Sequence, residues 1–523
     1  MQRSLVGSEM CIRDRNIYVE RVRANVKRQA LYCDMLGSAR WVGELAQRYP
    51  AREITPLTPW FANISIHDVE ITGCSTLVDV SALPEKPVKN FFFGNVKAHC
   101  DRIGKICDAT KFSMKDVRIE SCDTVMRIDN CDYASFFGFS NVTTGSSVKI
   151  EKTGGECRYL NVQTYPLVPV NYQSIRPGEV WLDTEGKPIQ AHGFQVTFRE
   201  GKYYWYGEDK THTLFGTNRM FGGVRCYSST DFYNWKDEGR IIEPATDPHS
   251  PLHHCQKLER PHILYCAKTG RYVCWLKSQS NDGHFVILEA EHFMGPYHFV
   301  RNLKPNGFAV GDFDMYADPD TGKGYVWFER PHWEQICAEL SDDYTNVNGR
   351  YSEHFVGKVP PFTREAAAHF VMDGKHYIYT SGTTSYTPNP SEVAVFDDYH
   401  GEYTVLGNPH IGDEYAHSFC SQITSVIKIP GKDLYVAMAD RWLPHTNKTD
   451  IPKKDWQSFL TRYKDHRPYP KDFATPKVAD RFYTLVNPNQ DVYKATYVFL
   501  PIVVKDGIPM IEWKDEWKLE NYE

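Results

Sequence analysis

The sequence lacks the features that identify several common classes of protein. Its 523 residues contain no apolar run of about 18 residues, which a membrane-spanning helix would need. The 60 basic and 66 acidic residues nearly balance, and the formal net charge of −6 gives no indication of a nucleic acid partner. A phosphate-binding glycine loop and the elbow sequence of a serine hydrolase are both missing, so neither chemistry is predicted.

Cysteine is present, but without the spacing of a metal or redox site. None of the 14 cysteines forms a CxxC pair, and the arrangement of cysteine and histidine predicts no zinc site. Four cysteines lie in apolar, strand-like runs, where buried free thiols are expected: Cys226, Cys266, Cys274 and Cys420. We therefore predict no cofactor and no catalytic metal, while a structural calcium ion remains compatible with the sequence.

The first fifteen residues, MQRSLVGSEMCIRDR, lack the apolar centre of a secretory signal. They resemble translated sequencing adapter, and we interpret residues 1–15 as an artefact of sequence assembly. We expect the natural N-terminus to be missing, together with any signal peptide.

Residues 16–163 repeat a short strand-like phrase, which occurs as NIYVERV, NISIHDV, NFFFGNV, KFSMKDV and FFGFSNV. The last three of its terminal valines follow at spacings of 27, 21 and 25 residues. This period is typical of the coils of a parallel β-helix, in which each coil buries its apolar face against the next. A β-sandwich is the alternative, and residues 43–59 are predicted to be a loop. The valines are Val22, Val69, Val96, Val117 and Val142.

A second repeat follows a proline-containing linker at 164–177. Its phrases GKYYWYG, GRYVCWL, GKGYVWF, GKHYIYT and GKDLYVA each predict a glycine turn that leads into a β-strand. Their spacings of 69, 52, 52 and 57 residues suit one four-stranded blade per repeat. The sequence thus predicts an all-β chain, with a truncated right-handed parallel β-helix followed over 178–523 by a five-bladed β-propeller and a C-terminal extension. The repeat glycines are Gly201, Gly270, Gly322, Gly374 and Gly431.

Acidic residues occur at similar places before three repeat glycines. Glu259, Asp314 and Glu365 precede their glycines by 8 to 11 residues, so a propeller would bring them together at its central channel. Glycoside hydrolysis usually needs two carboxyl groups, one as proton donor and one to activate water. A structural salt bridge would explain any one of these acids, but three in register favour a catalytic site.

Polar residues in the other two repeats extend this candidate site. Gln422 precedes its glycine by 9 residues, and Gln190 and His192 precede the first glycine by 9 to 11. His192 is equally compatible with a sugar contact and with a place in the core. Further candidate substrate contacts at the ends of repeat strands are Glu208, Asp440 and Trp442, the last as a stacking face for a sugar ring.

The second repeat region contains a series of distinctive phrases in order: RPGEVWLDTEGKPIQAHG, GKYYWYGED, CYSSTDFYNWKDEG, ERPHILY, REAAAHFVMDGKHYIYTSG, SQITSV and ADRW. Over about residues 175–444 they resemble glycoside hydrolase family 43, and more narrowly its galactan 1,3-β-galactosidase branch. The resemblance implies an inverting exo-glycosidase in which Glu365 is the general acid and Asp314 tunes and orients that acid. It also implies that Glu259 binds substrate near the cleaved bond and that Gln422 lies beside the attacking water.

The sequence departs from that branch in two regions of the site. QAHG stands where the family usually has its basic aspartate, which leaves the base unassigned. Phe194 replaces a small residue, and Ala367 and His369 stand where proline and methionine are common. These changes are expected near the pocket, where they would affect the choice of sugar.

The first repeat region carries a separate resemblance. NIYVERVRANVKRQALYCDM, FANISIHDVEITGC and LPEKPVKNFFFGNVKAHC are similar to the last coils of glycoside hydrolase family 28, the polygalacturonase-like β-helix. The catalytic aspartates and the Gly-His-Gly and Arg-Ile-Lys motifs of that family are missing. This segment is therefore predicted to be the end of a β-helix without an active site.

Three functions follow from these patterns. The leading prediction is an inverting exo-glycosidase acting on plant-type side chains, with β-1,3-linked galactan as the substrate. An α-L-arabinofuranosidase or β-xylosidase of the same fold is the second, and a non-catalytic carbohydrate-binding propeller is the third. The resemblance implies a polysaccharide or oligosaccharide partner, a monomer, and an extracellular or periplasmic location.

Overall fold

The computed structural model describes residues 13–37, 39–56, 58–163, 170–213, 220–280, 283–358, 360, 362–384, 386, 388–414, 416–442 and 492–523. The chain divides into two compact units, Met1–Pro169 and Val170–Glu523. Of the predicted artefact, residues 1–12 lie outside the described residues, and so do residues 164–169 of the predicted linker. In the described part of the chain, no helix is long and apolar enough to cross a bilayer.

The first unit is built around a parallel sheet. Its strands are β1 (Arg13–Asn25), β2 (Gln29–Asp34), β3 (Trp60–Ser81), β4 (Val88–Glu120), β5 (Val125–Asp132), β6 (Ser135–Phe137), β7 (Ser140–Asn141), β8 (Ser146–Ser147), β9 (Lys149–Lys152) and β10 (Asn161–Gln163). β3 pairs in parallel with β1, β2 and β4, and β4 pairs in parallel with β5, β6 and β7. This pairing fits the predicted partial β-helix, while the resemblance to family 28 stays a prediction.

The predicted loop over 43–59 is not wholly irregular. A short α-helix, α1 (Ala39–Val42), precedes it, and a 3-10 helix (Gly43–Ala46) forms its first residues. The remaining described residues up to β3 form no strand or helix, as expected.

A ladder of asparagine side chains connects successive coils. Asn63 Nδ2 donates to Asn16 Oδ1 at 2.9 Å, and Asn90 Nδ2 donates to Asn63 Oδ1 at 2.8 Å. A second rung joins Asn95 Nδ2 to Asp68 Oδ1 at 2.6 Å. These five residues have φ between 46° and 60°, a left-handed conformation that asparagine and aspartate adopt more readily than most residues. The sequence phrase recurs because each coil makes the same left-handed turn.

The valine repeat follows the register only in part. Val22 pairs with Val69, and Val69 pairs with Val96, as the spacing predicts. At the last repeat, however, Arg118 pairs with Ser140, so Val142 lies beyond the ladder and is 54% exposed. The last coil is therefore shorter than the sequence phrase suggested.

The second unit is a five-bladed β-propeller. Its first two sheets contain β11 (His192–Arg199), β12 (Lys202–Glu208), β13 (Val224–Ser229) and β14 (Lys236–Ile242), then β15 (Leu258–Cys266), β16 (Arg271–Ser278), β17 (His284–Ala290) and β18 (His298–Leu303). The next two contain β19 (Phe313–Ala317), β20 (Gly324–Glu329), β21 (Gln335–Leu340) and β22 (Val347–His354), then β23 (Arg364–Met372), β24 (Lys375–Gly382), β25 (Glu392–Phe396) and β26 (Thr404–Gly407). The fifth contains β27 (His410–Ile411), β28 (Gln422–Lys428), β29 (Tyr435–Arg441), β30 (Thr496–Lys505) and β31 (Ile508–Glu512).

The innermost strands close into a ring. β11 contacts β15, β15 contacts β19, β19 contacts β23, β23 contacts β28, and β28 contacts β11. The described residues of this unit also form short 3-10 helices at Pro305–Gly307, Ser418–Cys420, Val492–Lys494 and Leu519–Asn521. Five sheets around one axis place the starts of the five innermost strands close together.

Each repeat glycine lies in the turn between the first and second strands of its sheet. All five have φ between 69° and 78°, a left-handed conformation that costs glycine no steric penalty. The second strands then bury large aromatic side chains, with Trp205, Trp275 and Trp327 completely inaccessible. The predicted buried free thiols are confirmed at Cys226, Cys266, Cys274 and Cys420.

The C-terminal residues belong to the fifth blade. β30 pairs with β29 and β31, so the region expected as an extension supplies outer strands. Backbone hydrogen bonds between Ile175 and Trp517 (2.8 and 3.0 Å) join the start of the unit to its end. This pairing adds to the contact of β11 with β28 and to the shared core in joining the first blade to the last, which have no strand in common.

The asparagine ladder generates a prediction about local stability. Asn63→Ala removes both ladder hydrogen bonds and places alanine at a φ of 56°, so we expect the free energy of local opening to fall by about 1–2 kcal/mol. Hydrogen exchange of peptides from β3, followed by mass spectrometry, measures this change. Asn63→Gly is the control, because it loses the hydrogen bonds but tolerates the turn, and it should exchange more slowly than the alanine variant. Equal exchange in both variants would contradict a contribution from the left-handed turn.

Candidate active site

Five side chains occupy equivalent positions at the starts of the five innermost strands: His192, Glu259, Asp312, Glu365 and Gln422. The strand register identifies them, because each lies opposite a residue near the end of the second strand. Those partners are Glu208, Lys277, Glu329, Ser381 and Asp440. Because the innermost strands form a ring, the first set surrounds one end of the propeller axis.

Backbone bulges occur directly after three of these positions, and β28 shifts its register one residue further on, between Ile423 and Ser425. The register shifts at this point in β11, β15 and β23. The residue that follows the site position is left-handed in each, with φ of 50° to 52° at Gly193, Arg260 and Ala366. This conformation costs a non-glycine residue about 1–2 kcal/mol. Bulges of this kind redirect side chains and are common next to active sites.

Asp312, and not the predicted Asp314, is the aspartate of this ring. Asp314 is buried away from the pocket, where it accepts a hydrogen bond from the His369 backbone N–H at 2.6 Å. Its Oδ1 also lies 2.9 Å from His262 Nε2. Asp312 precedes Gly322 by 10 residues and Asp314 precedes it by 8, so both fall within the range of 8 to 11 residues on which the prediction was based. The count could not distinguish the two aspartates, and the role of Asp314 stays a prediction.

A pocket lies at this end of the ring. It is lined by Glu208, Lys210, Lys257, Glu259, Arg260, Lys277, Gln279, Asp312, Glu365, Tyr386, Gln422 and Trp442. Five of the residues named from the sequence are among them: Glu259, Glu365, Gln422, Glu208 and Trp442. The other four, Asp314, Gln190, His192 and Asp440, do not line the pocket.

Glu365 has the properties of a proton donor. Burial raises its pKa well above the usual range for a glutamate, and the negative charges of Asp312 and Glu329 raise it further against the opposing effect of Lys277 and Arg260. The preceding Arg364 does not neutralise it, because that guanidinium donates to Thr380 Oγ1 at 2.9 Å and to Thr380 O at 2.6 Å. The surroundings of Glu365 therefore favour its protonated form over its charged form.

Two of its neighbours are held in the opposite state by a buried ion network. Lys277 Nζ lies 2.7 Å from Glu259 Oε2 and 2.7 Å from Asp312 Oδ1. Arg260 Nη2 lies 2.8 Å from Asp312 Oδ2. Burial alone would raise the pKa of both carboxyl groups, but Arg260 and Lys277 lower that of Asp312, and Lys277 and Lys257 lower that of Glu259. Both are ionised under conditions in which Glu365 is not.

Gln422 connects this network to the proton donor. Its Oε1 accepts hydrogen bonds from Arg260 Nη2 at 2.8 Å and from Trp442 Nε1 at 3.3 Å. Its Nε2 donates to Glu365 Oε1 at 3.3 Å and to Ser381 Oγ at 3.0 Å. The amide is thereby oriented, with its nitrogen towards the acid and its oxygen towards the cation.

The remaining wall of the pocket combines an ion pair with aromatic faces. Glu208 forms an ion pair with Lys210 and accepts a hydrogen bond from the Arg260 backbone N–H at 3.0 Å. Lys210 Nζ lies 5.4 Å from the centre of the Trp442 ring, and Tyr386 meets the same ring edge-on at 5.4 Å. Charged groups beside aromatic faces are suited to a ligand with both hydroxyl groups and an apolar face.

The first-blade residues form a support beneath the pocket. His192 Nδ1 lies 2.9 Å from Asp440 Oδ1, and its Nε2 lies 3.3 Å from Gln190 Oε1. Both His192 and Asp440 are completely buried, and the His192 ring stacks on Tyr497 at 5.1 Å. Of the two interpretations of His192, the core position is the one observed.

The departures from the family pattern also lie outside the pocket lining. Phe194 packs against Trp205 and Phe499 in the core between the first and fifth sheets. Ala367 is buried, and His369 stacks on Trp327 with ring centres 4.4 Å apart. None of the three lines the pocket, and their effect on the choice of sugar stays a prediction.

A possible metal-ligand group lies apart from the pocket. In the described part of the propeller, ligand atoms of His253, His254 and Cys255 lie within 4.8 Å of one another. These residues precede β15 and do not line the pocket. The search for CxxC spacings did not find this group, because it contains one cysteine directly after two histidines.

Sequence reasoning missed the cationic half of the site. Lys210, Lys257, Arg260 and Lys277 all line the pocket, together with Asp312, Gln279 and Tyr386. A search limited to acids before the repeat glycines could not find cations, whether on a second strand, as Lys277 is, or next to a strand, as Lys210 and Lys257 are. For Lys277 the sequence did contain an indication, because this charged residue directly follows the apolar strand segment YVCWL.

Comparisons with known proteins agree with this geometry. Residues 194–425, which include four of the five ring positions, match glycosyl hydrolases family 43. A family 43 β-1,3-galactosidase has 28% identity and a TM-score of 0.54, with 67% of this chain and 65% of that chain covered. This chain thus spans just under two thirds of that protein's length. No curated protein matches the sequence.

Two further structures have the same fold. A second family 43 β-1,3-galactosidase, solved with galactodeoxynojirimycin, has 27% identity and a TM-score of 0.54, with 66% of this chain and all of that chain covered. An exo-β-1,3-galactanase variant from Phanerochaete chrysosporium, solved with β-1,3-galactotriose, has 21% identity and a TM-score of 0.53 over 66% of this chain and 68% of that one. The propeller thus resembles glycosyl hydrolases family 43 in sequence over residues 194–425, and it resembles these solved structures in fold.

Proposed function

We propose that this chain is an inverting exo-glycosidase that releases galactose from the ends of β-1,3-linked galactan chains. The observation that carries the proposal is the contrast between two carboxyl groups in one pocket. Glu365 has a raised pKa and Asp312 a lowered one, so a proton donor lies beside a fixed negative charge. Pairs of acids held in different states are a recurrent feature of glycosidases.

Glu365 is the general acid of this proposal. In its protonated form it donates to the glycosidic oxygen as the bond to the anomeric carbon breaks. Ionised Asp312 opposes loss of that proton before the reaction. Glu259 and Asp312 also face the positive charge that develops on the sugar ring, and oriented charges in a buried site stabilise such a transition state.

Gln422 positions the attacking water in this proposal. Inversion requires water to approach the face of the ring opposite the leaving group. The amide oxygen of Gln422 accepts from Arg260 at 2.8 Å and from Trp442 at 3.3 Å, so a water molecule would replace the longer of these two contacts. A neutral amide orients water better than it removes a proton, so this residue contributes mainly to geometry.

The substrate assignment is supported by the two β-1,3-galactosidases with 28% and 27% identity. The aromatic faces of Trp442 and Tyr386 beside polar groups suit a pyranose ring, which has hydroxyl edges and an apolar face. These polar and aromatic groups would also suit an arabinoside or a xyloside. The test therefore includes a panel of substrates that carry each of these sugars.

Product analysis on β-1,3-galactan tests the activity directly. We expect free galactose to appear first as the α-anomer, because inversion at a β-linkage gives the α-product. Proton NMR during the first minutes of reaction measures the anomer before mutarotation. Release of the β-anomer would contradict inversion, and release of arabinose or xylose from their nitrophenyl glycosides, without galactose, would contradict the substrate. Carbohydrate binding without any released sugar would favour a non-catalytic propeller.

Removal of the general acid should stop turnover without unfolding the chain. Glu365→Gln is expected to lower kcat by about 10²–10⁴-fold, the usual contribution of a general acid. Glu291→Gln is the matched control, because Glu291 is exposed and lies outside the pocket lining. Rates on galactan and thermal melting curves of both variants make the comparison. A Glu365→Gln variant with full activity would overturn the acid assignment.

The charge of Asp312 should appear in the pH profile. The acid is active when protonated, so activity falls as pH rises through the pKa of Glu365. Asp312→Asn removes a charge that raises this pKa and leaves Arg260 and Lys277 to lower it. We expect the alkaline limb of kcat/KM to move to lower pH by about 1 unit or more.

Asp314→Asn is the control for this shift. Asp314 lies two residues away in the same strand region but outside the pocket lining. Its alkaline limb should stay within experimental error of the unmodified protein, whatever happens to its stability. A shift in Asp314→Asn with none in Asp312→Asn would restore the aspartate predicted from the sequence.

A further inference from the structure

The loop between β14 and β15 brings three metal-binding side chains together outside the pocket. His253, His254 and Cys255 follow one another in the chain, and each offers one ligand atom within 4.8 Å of the other two. Cys255 is exposed and not part of a disulfide, His253 is half-buried and His254 is buried. None of the three lines the pocket, and the proposed glycosidase mechanism uses none of them.

Backbone hydrogen bonds hold these residues in a defined turn. The His253 carbonyl accepts from the Gln256 N–H at 2.8 Å, which closes the turn around the three side chains. The His254 N–H donates to Ala245 O at 3.1 Å, and the His254 carbonyl accepts from the Met220 N–H at 2.9 Å. The turn is thus joined to the start of its own loop and to the segment before β13. Little chain entropy remains to be lost when a ligand binds to a turn held in this way.

The distance between two of the ligand atoms fits a metal ion. Cys255 Sγ lies 3.5 Å from His254 Nδ1. Tetrahedral zinc lies about 2.3 Å from a thiolate sulfur and about 2.0 Å from an imidazole nitrogen, which places these two atoms about 3.5 Å apart. Without a metal, the same spacing allows the thiol to donate a hydrogen bond to the imidazole. The test must therefore detect a bond between the metal and sulfur.

His253 supplies the third ligand. Its ring centre lies 4.1 Å from that of His254, and its Nδ1 accepts a hydrogen bond from the Cys255 backbone N–H at 3.4 Å. These contacts keep the ring beside the thiol. An imidazole with an ordinary pKa is mostly uncharged above neutral pH, and the uncharged ring is the form that binds a metal.

The donor atoms select the kind of ion. Calcium and magnesium take oxygen ligands, whereas these three side chains offer nitrogen and sulfur. Zinc takes nitrogen and sulfur ligands in a tetrahedral arrangement, and a zinc ion with three protein ligands keeps its fourth position for water. Because Cys255 is exposed, solvent can supply that fourth ligand.

We propose that His253, His254 and Cys255 form a zinc site that fixes the loop before β15. Lys257 follows Cys255 by two residues and lines the pocket, so the ion holds the chain just before it enters a strand of the active site. Binding converts the Cys255 thiol to a thiolate and releases one proton to solvent. The site does not depend on the proposed glycosidase function, because it shares no residue with the pocket lining.

Calorimetric titration of the full chain with zinc at neutral pH tests the site, with calcium and magnesium titrated in parallel. We expect a zinc ion to bind at least about 100-fold more tightly than either of the other two. Cys255→Ser and His253→Ala should each weaken zinc binding about tenfold or more, because each removes one ligand. Unchanged zinc affinity in both variants, or no zinc binding by the unmodified chain, overturns the site.

Cobalt(II) in place of zinc reports on the sulfur ligand directly. The thiolate is the form of cysteine that binds a metal, and its bond to cobalt gives a charge-transfer band in the near ultraviolet. We expect this band in the unmodified chain and its loss in Cys255→Ser. Cys122→Ser is the matched control and should keep the band, because Cys122 is an exposed free cysteine outside the group. A band that persists in Cys255→Ser overturns the thiolate ligand.

Thermal melting measures whether the ion holds the loop. Zinc should raise the melting temperature of the unmodified chain and of Cys122→Ser but not that of Cys255→Ser, because an ion that binds only the folded chain stabilises it. The readout is the change that zinc causes in each protein, so a variant that is less stable without metal still gives an answer. Equal stabilisation of the unmodified chain and Cys255→Ser overturns the proposed role of the site.

Discussion

The buried contact of Lys277 with two carboxylates is the interaction on which the rest of the site depends. Glu259 and Asp312 come from neighbouring blades, and an isolated buried carboxylate would take up a proton rather than stay charged. Lys277, with Arg260 on the far side of Asp312, keeps both ionised. Only because Asp312 keeps its charge can it raise the pKa of Glu365, so the acid on the fourth blade depends on a lysine of the second.

The propeller provides the geometry for this dependence but not its chemistry. Closure of the innermost strands places five equivalent positions around one axis, and bulges in four blades adjust the direction of the chain near them. The five positions hold a histidine, two glutamates, an aspartate and a glutamine. In the first blade the residue at this position, His192, lies in the core, and Glu208 on the second strand lines the pocket instead. The repeated blade brings the five positions together, and the different side chains at these positions provide the chemistry.

Much of the fold could be predicted from the sequence, because the repeated phrases contain the residues that each turn of the backbone requires. Left-handed glycines mark the five turns, and left-handed asparagines mark the coils of the first unit. Glu259, Glu365 and Gln422 were found because each precedes its repeat glycine by 9 to 11 residues. Asp312 was missed because Asp312 and Asp314 both precede Gly322 by 8 to 11 residues, and only the strand register separates them. Lys277 was missed because it lies on a second strand, where register alone shows that it faces Glu259.

Gln422 shows why a neutral residue can serve at a position where a second acid would be expected. Its oxygen accepts from Arg260 and Trp442, and a carboxylate could accept those hydrogen bonds equally well. Its nitrogen, however, donates to Glu365 at 3.3 Å, which no carboxylate could do. A second negative charge at that distance would raise the pKa of Glu365 further and make the acid a weaker proton donor. A neutral amide at this position therefore avoids a further rise in the pKa of Glu365. The negative charge that raises this pKa is that of Asp312, which Lys277 and Arg260 keep ionised.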